Sequence, residues 1–78
     1  MPHIYILKSL KDDNLYVGST RDLERRIKCH NSGKVRSTKA RRPFEVIYSE
    51  EYDSVTEARK RENFFKSGQG RKWIKENI

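Results

Sequence analysis

The stretch "NLYVGSTRDLERRIKCHN", residues 14–31, decides the fold, because it joins a short apolar run directly to an amphipathic segment. Its first part, LYVG, is rich in residues that favour β-strands and ends at Gly18. Its second part has hydroxyl residues where a helix would begin, acidic residues in the first turn and Gly33 after the last turn. The pattern predicts a strand followed at once by a helix.

The predicted helix places an arginine and a histidine beside its own hydrophobic stripe. Relative to Leu23, Ile27 lies at about +40° and His30 at about −20° around the helix axis. Arg26 lies at about −60°, at the margin of the same stripe. Arg25 lies at about 200°, so we expect Arg25 to face solvent and Arg26 to face inward.

A second β-forming run lies upstream of this stretch. Residues 3–7, HIYIL, are apolar, and the polar residues 8–14 separate them from residues 15–18. Two such runs joined by a polar turn predict a β-hairpin. Whether Tyr5 and Tyr16 share a face depends on the strand register, which the sequence leaves open.

A loop and a third strand follow the first helix. Residues 34–42, KVRSTKARR, have too little apolar periodicity for a core element, and we interpret them as a loop. Pro43 then opens the run FEVIYSEEY, in which Phe44, Val46 and Tyr48 alternate with the residues at positions 45, 47 and 49. This run is predicted to be a strand.

Two more helices complete the predicted element order β, β, α, β, α, α within a single domain, residues 1–78. Ser54 and Glu57 fit a capping box for a helix through about Lys66 that Gly68 would terminate. Gly68 and Gly70 are interpreted as helix punctuation. After them the segment RKWIKENI reads as a short terminal helix, with Trp73 and Ile74 as its expected anchors.

The second helix carries a carboxylate among its inward-facing residues. With Ala58 as reference, Phe65 lies at about −20° and Val55 at about +60° around the axis. Glu62 lies at about +40°, between apolar neighbours. An inward glutamate needs a partner, and pairing with Arg26 is the structural explanation.

The formal net charge of +7 comes from one segment of the chain. Residues 1–20 carry two basic and two acidic residues, and residues 43–78 carry seven of each. Residues 21–42 carry nine basic residues against two acidic ones. A concentrated cationic segment favours a polyanion, because each neutralised phosphate releases counterions. Nucleic acid is the first candidate partner; a solvated basic face and an anionic membrane surface are the alternatives.

Cysteine and histidine content limits the available chemistry. Cys29 is the single cysteine, so an intrachain disulfide is excluded, and only His3 and His30 accompany it. These residues cannot form a four-ligand zinc site. Since neither a signal peptide nor a long apolar span is evident, we expect a soluble, cytoplasmic protein without a membrane partner.

Five polar side chains on the predicted elements supply the parts needed for phosphodiester hydrolysis. Glu62 offers oxygen ligands for a hard divalent cation, Mg²⁺ or Mn²⁺. Arg26 can clamp a phosphate in its planar fork of donors. Tyr5 or Tyr16 could take a proton from the attacking water, if neighbouring charges lower a pKa that is normally about 10. His30 could relay a proton or hydrogen-bond a tyrosine, or be an ordinary half-buried histidine.

The order of these residues resembles the motifs of the GIY-YIG nuclease superfamily over nearly the whole chain. It is most similar to the short, free-standing bacterial members related to the nuclease module of the excision-repair subunit. The spacing is eleven residues from Tyr5 to Tyr16, ten from Tyr16 to Arg26 and four from Arg26 to His30. The residues that carry the resemblance are Tyr5, Tyr16-Val17-Gly18, Arg26, His30 and Glu62 in the later EARKRE segment.

This resemblance implies an α+β fold, a small three-stranded antiparallel sheet flanked by helices. It also implies a metal-dependent DNA endonuclease, structure-selective or weakly specific, of the kind found in DNA repair. Tyr5 and Tyr16 match the two motif tyrosines, with Tyr16 slightly preferred for activating the water. Arg26 matches the phosphate-stabilising arginine and Glu62 the metal ligand.

The chain departs from the family pattern at three positions. The first motif reads His3-Ile4-Tyr5, so its glycine is missing, and Val17 replaces the central isoleucine of the second motif. Ser19 stands where some relatives have a lysine. These departures bear on the rate of the reaction and on the polarity of the active site, while the four central residues, Tyr5, Tyr16, Arg26 and Glu62, are kept.

The basic loop is expected to hold the nucleic-acid backbone, because phosphate contacts position a substrate without reading its sequence. The substrate is expected to be DNA, with RNA as an open alternative. A non-catalytic nucleic-acid-binding module with the same fold is the alternative function, and the oligomeric state is open. The expected contact residues are Lys34, Arg36, Ser37, Thr38, Lys39, Arg41 and Arg42.

Overall fold

The computed structural model describes all of residues 1–78 and has the element order β, β, α, β, α, α. None of its helices is long and apolar enough to cross a membrane. The α+β class and the element order predicted from the sequence are confirmed. The elements are β1 (His3–Ser9), β2 (Leu15–Thr20), α1 (Leu23–Ser32), a short 3-10 helix (Lys39–Arg41), β3 (Phe44–Glu51), α2 (Val55–Lys66) and α3 (Gly68–Asn77).

The three strands form one antiparallel sheet in the order β2-β1-β3. The central strand, β1, pairs on both sides and is covered on both faces. Ile4 and Ile6 contribute to one core cluster, whereas Tyr5 and Leu7 contribute to another. All four side chains are at most 1% exposed, which explains why HIYIL reads as a continuous apolar run.

Helices α2 and α3 cover one face of the sheet. Their buried side chains form one core cluster with Ile4 and Ile6 of β1. Trp73 packs against the edge of this cluster, with its ring centroid 5.2 Å from that of Phe65. The anchor positions predicted for Trp73 and Ile74 are therefore confirmed. The buried residues of the cluster are Ile4, Ile6, Ala58, Phe65 and Ile74.

Helix α1 covers the other face of the sheet. Leu23 and Ile27 of this helix pack against Tyr5 of β1 and against its neighbours in the second core cluster. Arg25 is exposed and Arg26 is half-buried, as the helical periodicity predicts. The amphipathic stripe of α1 therefore aims Arg26 toward the sheet.

Strand β3 contains a bulge that breaks its predicted alternation. Ile6 pairs with Tyr48, but the next residue, Leu7, pairs with Val46, so Ile47 is an extra residue on β3. Ile47 and Tyr48 consequently both pack against the α2–α3 cluster, while Val46 is exposed. The prediction that Val46 and Tyr48 share one face is wrong, because the bulge shifts the side chains by one position.

Helix α1 begins and ends at well-formed caps. The Asp22 side chain accepts a hydrogen bond from the Arg25 backbone N–H at 3.1 Å. The helix therefore starts after Asp22 and not at the preceding hydroxyl residues. At the other end, Gly33 has a φ of 83° in the left-handed region, which confirms the predicted glycine stop.

Helices α2 and α3 meet at Ser67. The Ser54 side chain accepts from the Glu57 N–H, as expected, but Gly68 does not terminate α2. Ser67 ends α2 and its side chain accepts from the Gly70 N–H to start α3. Gly68 and Gly70 therefore lie in the first turn of α3, and their interpretation as punctuation is wrong. A Cβ on Gly70 would overlap the carbonyl oxygen of Phe64, so glycine allows this close helix approach.

An ion pair ties β3 to α2 beside the core. Arg61 donates to both carboxylate oxygens of Glu50, at 2.9 and 3.3 Å. Glu50 also accepts hydrogen bonds from the hydroxyls of Tyr48 and Tyr52. The Arg61 guanidinium lies 4.5 Å from the ring centroid of Phe65 and stacks on two further aromatic rings. This cluster fixes α2 against the sheet.

Candidate active site

The strand register places Tyr5 and Tyr16 on the same face of the sheet. Tyr5 pairs with Gly18 and Leu7 pairs with Tyr16, so the two tyrosines are diagonal neighbours. Their ring centroids are 6.4 Å apart. A Cβ on Gly18 would lie 2.5 Å from the Tyr5 hydroxyl oxygen and 3.2 Å from Cε1 of Tyr16. Gly18 therefore provides the space into which the Tyr5 hydroxyl extends.

The Tyr5 hydroxyl is held by two neighbours. It lies 2.9 Å from Nε2 of His30 and accepts a hydrogen bond from Nε of Arg26 at 3.4 Å. Burial raises the pKa of Tyr5 above its usual value, although the hydrogen bond from Arg26 opposes this effect. Tyr5 is consequently a neutral phenol at physiological pH, held in place by its two neighbours.

His30 lies behind Tyr5 and is fully buried. Burial, together with the nearby charge of Arg26, lowers the pKa of His30 to about 4, so its ring is neutral. Its Nδ1 lies 2.9 Å from Oγ1 of Thr38, and that hydroxyl donates to the Val35 carbonyl at 3.4 Å. In one arrangement each donor is used once. Arg26 donates to the Tyr5 hydroxyl, which donates to Nε2 of His30; Nδ1–H of His30 then donates to the Thr38 hydroxyl, which donates to the Val35 carbonyl. With both ring nitrogens engaged, His30 orients Tyr5 and does not face solvent.

A concave pocket with a volume of about 450 Å³ lies at β2, which is an edge strand of the sheet. Of the five predicted catalytic residues, the pocket brings together Tyr5, Tyr16, Arg26 and Glu62. Three polar residues that sequence reasoning missed also line it. Arg59 and Asn63 lie three positions before and one after Glu62 on α2, so helical spacing could have indicated Arg59. The remaining lining residues are Gly18, Ser19, Arg59 and Asn63.

Arg26 lies beside the Tyr5 hydroxyl, and Tyr16 lines the same pocket. The hydrogen bond to Tyr5, with a smaller contribution from Tyr16, raises the pKa of Arg26 above its ordinary value. Its guanidinium is only half-buried and has donors left for a further anion. Tyr16 is likewise half-buried, so its side chain is accessible from the pocket, whereas Tyr5 is 1% exposed.

Glu62 presents an ionised carboxylate to the pocket. Ser19 donates to one of its oxygens at 2.6 Å and Lys66 to the other at 2.7 Å. Burial opposes ionisation of Glu62, but these two hydrogen bonds outweigh it and hold the pKa below its usual value. The alternative structural pairing of Arg26 with Glu62 does not form, because Arg26 binds the Tyr5 hydroxyl instead.

The donor set around Glu62 suits a hard divalent cation. No group of three or more histidine, cysteine, aspartate or glutamate side chains lies together in the chain, so an all-protein metal cage is absent. Mg²⁺ does not need such a cage, because it commonly binds one or two carboxylates and completes its shell with water and substrate phosphate. Glu62 supplies the carboxylate, and Ser19 and Asn63 add oxygen atoms beside it.

Most of the predicted nucleic-acid-binding loop is exposed, and part of it forms a basic depression. Arg36, Lys39 and Arg42 line this depression of about 490 Å³ together with Lys11. Lys11 was missed because it lies in the β1–β2 turn, far from the loop in sequence. The exposed residues among those predicted are Lys34, Arg36, Ser37, Lys39 and Arg42.

Two residues of the loop do not lie where the sequence predicted. The prediction that Thr38 binds nucleic acid is wrong, because its side chain is fully buried and bonded to His30. Arg41 is half-buried, and its Nε lies 3.4 Å from the carboxylate of Asp12. It also donates to the Leu15 carbonyl at 3.5 Å, so it points toward β2 and away from the basic depression.

Comparison with known proteins finds a matching family model and similar bacterial proteins. A family model described as the GIY-YIG catalytic domain matches residues 1–77. UPF0213 protein SSP2268 of Staphylococcus saprophyticus is 43% identical over 74 residues, covering 94% of this chain and 89% of that protein. UPF0213 protein YazA of Bacillus subtilis is 42% identical over 65 residues, which is 82% of this chain and 66% of that protein, slightly under two thirds.

A solved structure is similar as well. The solution NMR structure of the UPF0213 protein BH0048 from Bacillus halodurans superposes with a TM-score of 0.56 at 36% sequence identity. The match covers 95% of this chain and 82% of that one.

Proposed function

The chain belongs to the GIY-YIG catalytic domain family, a family of nucleases, and on that premise we propose that it is a divalent-metal-dependent DNA endonuclease. The observation that carries this proposal is the convergence of Tyr16, Arg26 and Glu62 in one pocket at the edge of β2. We further propose that residues 1–78 act as a single catalytic domain.

Each pocket residue has a role that follows from its environment. Arg26, always charged and with unused donors, binds a non-bridging oxygen of the scissile phosphate. Tyr16, the accessible tyrosine, orients the attacking water. In its ionised form it would take the proton of that water as the new P–O bond forms, and the bond to the sugar oxygen breaks as that leaving oxygen takes a proton from solvent. Tyr5 is a positioning residue, since its buried hydroxyl holds the Arg26 side chain.

Glu62 is the residue that would hold the metal ion, Mg²⁺ or Mn²⁺. When bound, the ion would supply positive charge to a phosphate oxygen. Lys66 occupies one Glu62 oxygen at 2.7 Å, so binding of the ion requires Lys66 to release that oxygen or share it.

The basic depression supports a nucleic-acid substrate held by its backbone. Arg36, Lys39, Arg42 and Lys11 offer cations without an arrangement that would read base edges. A domain of this size contacts about 600–1,000 Å² of nucleic acid, which limits sequence specificity. We therefore propose weak sequence specificity, with selection by substrate structure as in repair nucleases, and DNA preferred over RNA.

The decisive experiment compares Glu62→Gln with Glu57→Gln. Glu57 lies on the same helix but is exposed and outside the pocket, so it is a matched control. With Mg²⁺ or Mn²⁺, the wild type and Glu57→Gln should cleave a panel of duplex, nicked, flapped, branched and single-stranded substrates. Glu62→Gln should bind the same substrates with unchanged affinity and cleave none.

Two outcomes would overturn the proposal. Cleavage by Glu62→Gln at the wild-type rate would show that this pocket does not perform the reaction. Binding without cleavage by the wild type, under every divalent metal, would instead identify a non-catalytic nucleic-acid-binding module. The basic depression would then carry that function by itself.

A further inference from the structure

A second, larger concavity runs along the outer edge of β2, with a volume of about 740 Å³. We call it the β2 groove; it lies between β2, the end of α2 and the first half of α3. Its apolar lining includes Leu15, Val17 and Ile74. Tyr16 lines both the β2 groove and the candidate active site, so the two cavities are neighbours at this residue. The volume is within the range of about 300–1,000 Å³ typical of small-ligand pockets.

The charged residues that line the β2 groove are all cationic. They are Arg41, Lys66 and Arg71, and neither aspartate nor glutamate contributes to the lining. Arg41 is paired with Asp12 and Lys66 with Glu62, which leaves Arg71 as the cation without an acidic partner. An occupant should therefore carry negative charge, and it should also present an apolar surface to the aliphatic residues. A nucleotide combines these properties, because its phosphate is anionic and its base has a flat face that packs on side chains.

The position of the groove favours an unpaired nucleotide over a paired one. β2 pairs only with β1, so its outer edge is open, and Leu15 is 40% exposed there. Duplex DNA keeps the flat faces of its bases stacked inside and offers a surface only the backbone and the base edges. An unpaired nucleotide can turn its base onto the apolar lining while its backbone continues past Tyr16 to the active site.

We propose that the β2 groove binds one unpaired nucleotide of the substrate strand, next to the phosphate held by Arg26. The base packs against Leu15 and Val17, which lie on the same face of β2, and Arg71 binds the adjoining phosphate. This inference rests on the proposed function and deepens it: the substrate is DNA with a single-stranded or displaced nucleotide beside the cleavage point. The competing occupant, a second copy of β2 added to the edge of the sheet, has no acidic side chain to meet the cationic lining.

The test measures whether groove residues contribute selectively to single-strand binding. Fluorescence anisotropy in EDTA compares a labelled single-stranded oligonucleotide with its blunt duplex. The groove variants are Leu15→Glu and Arg71→Glu. Leu10→Glu and Lys72→Glu make the same changes at exposed positions outside the groove. The ratio of single-strand to duplex affinity should fall by about tenfold in the groove variants and stay unchanged in the controls.

Several results would overturn the proposal. A loss shared equally by Arg71→Glu and Lys72→Glu, or a loss equal on both oligonucleotides, would show only general electrostatics. If Leu15→Glu does not fold, Arg71→Glu decides alone, because Arg71 is exposed. A dimer in analytical ultracentrifugation that Leu15→Glu dissociates, without a change in the affinity ratio, would assign the groove to a second copy of the chain.

Failure of this inference differs from failure of the proposed function. If the wild type never cleaves but the affinity ratio still depends on Leu15 and Arg71, the endonuclease proposal falls and the groove proposal stands. If the wild type cleaves and the ratio does not depend on these residues, only the groove proposal falls.

Discussion

Substituting Gly18 by alanine tests the packing on which the candidate active site depends. The added Cβ would lie 2.5 Å from the Tyr5 hydroxyl oxygen and 2.6 Å from Cζ. Ordinary carbon contacts are about 3.5–4.0 Å, so the Tyr5 ring would have to retreat by about 1 Å. It has little room, because it is 1% exposed and packs in one cluster with Leu7 and Phe44.

The expected cost follows from this geometry. Overpacking a core costs about 1–3 kcal/mol, and each hydrogen bond lost from the Tyr5 hydroxyl adds about 0.5–1.5 kcal/mol. We expect Gly18→Ala to destabilise the fold by about 2–3 kcal/mol. In a domain of this size, that corresponds to a fall in Tm of roughly 8–24 °C. At temperatures where the variant stays folded, cleavage should still drop, because Arg26 loses its alignment on Tyr5.

Gly68→Ala is the matched control for this substitution. Gly68 lies in the first turn of α3, and a Cβ there would meet nothing within 4 Å. Thermal unfolding should show unchanged stability or a gain of up to about 1 kcal/mol. If Gly18→Ala has the same Tm as the wild type and cuts DNA equally well, then Gly18 is not needed for the close packing of Tyr5 on β2.

Three further predictions concern the polar clusters. Lys66→Met frees one oxygen of Glu62 from the ion pair with Lys66. Because such a pair contributes little, calorimetry should show Mn²⁺ binding about twofold more tightly. Weaker binding would show that Lys66 and the metal ion do not compete for this oxygen. Because the pKa of His30 falls to about 4 when folded, from an ordinary 6.5, the unfolded state takes up the proton first as pH drops. The unfolding free energy from chemical denaturation should therefore be constant above about pH 6.5 and fall between about pH 6.5 and 4, by up to about 1.4 kcal/mol per pH unit. His30→Gln should remove this pH dependence. Arg61→Met leaves the Glu50 carboxylate without its cation, and the Glu50 side chain is only 19% exposed. The unfolding free energy should fall by about 2 kcal/mol. An unchanged midpoint in urea would show that the ion pair does not stabilise the fold.

The sequence predicted best those features that repeat along one element. The helical periodicity separated Arg26 from its neighbour Arg25, because a rotation of 100° per residue needs no information from elsewhere in the chain. Gly33 likewise marks its own helix end, since the left-handed conformation is a local property. The family motifs singled out Tyr5, Tyr16 and Glu62 among the other pocket residues, but not Arg59 or Asn63.

What the sequence did not reveal depends on contacts between distant segments. Thr38 reads as one more polar residue of a basic loop, and only the fold brings it under His30. Lys11 joins the basic depression for the same reason. The bulge at Ile47 is a matter of register between two strands, and register is set by packing on both faces of the sheet. Gly70 reads as a helix breaker in the sequence, because the sequence does not show that this residue packs closely against α2.

The order of strands in the sheet has a consequence for how the molecule acquires activity as it folds. The β1–β2 hairpin unites Tyr5 and Tyr16 across eleven residues, whereas Glu62 arrives from α2, beyond β3. Closing a short loop costs less entropy than closing a long one, so we expect the hairpin to form early and α2 to dock later. A chain folded only as far as the hairpin would hold both tyrosines without Glu62, the carboxylate that we propose holds the metal ion. Incompletely folded molecules would then be unable to cut DNA.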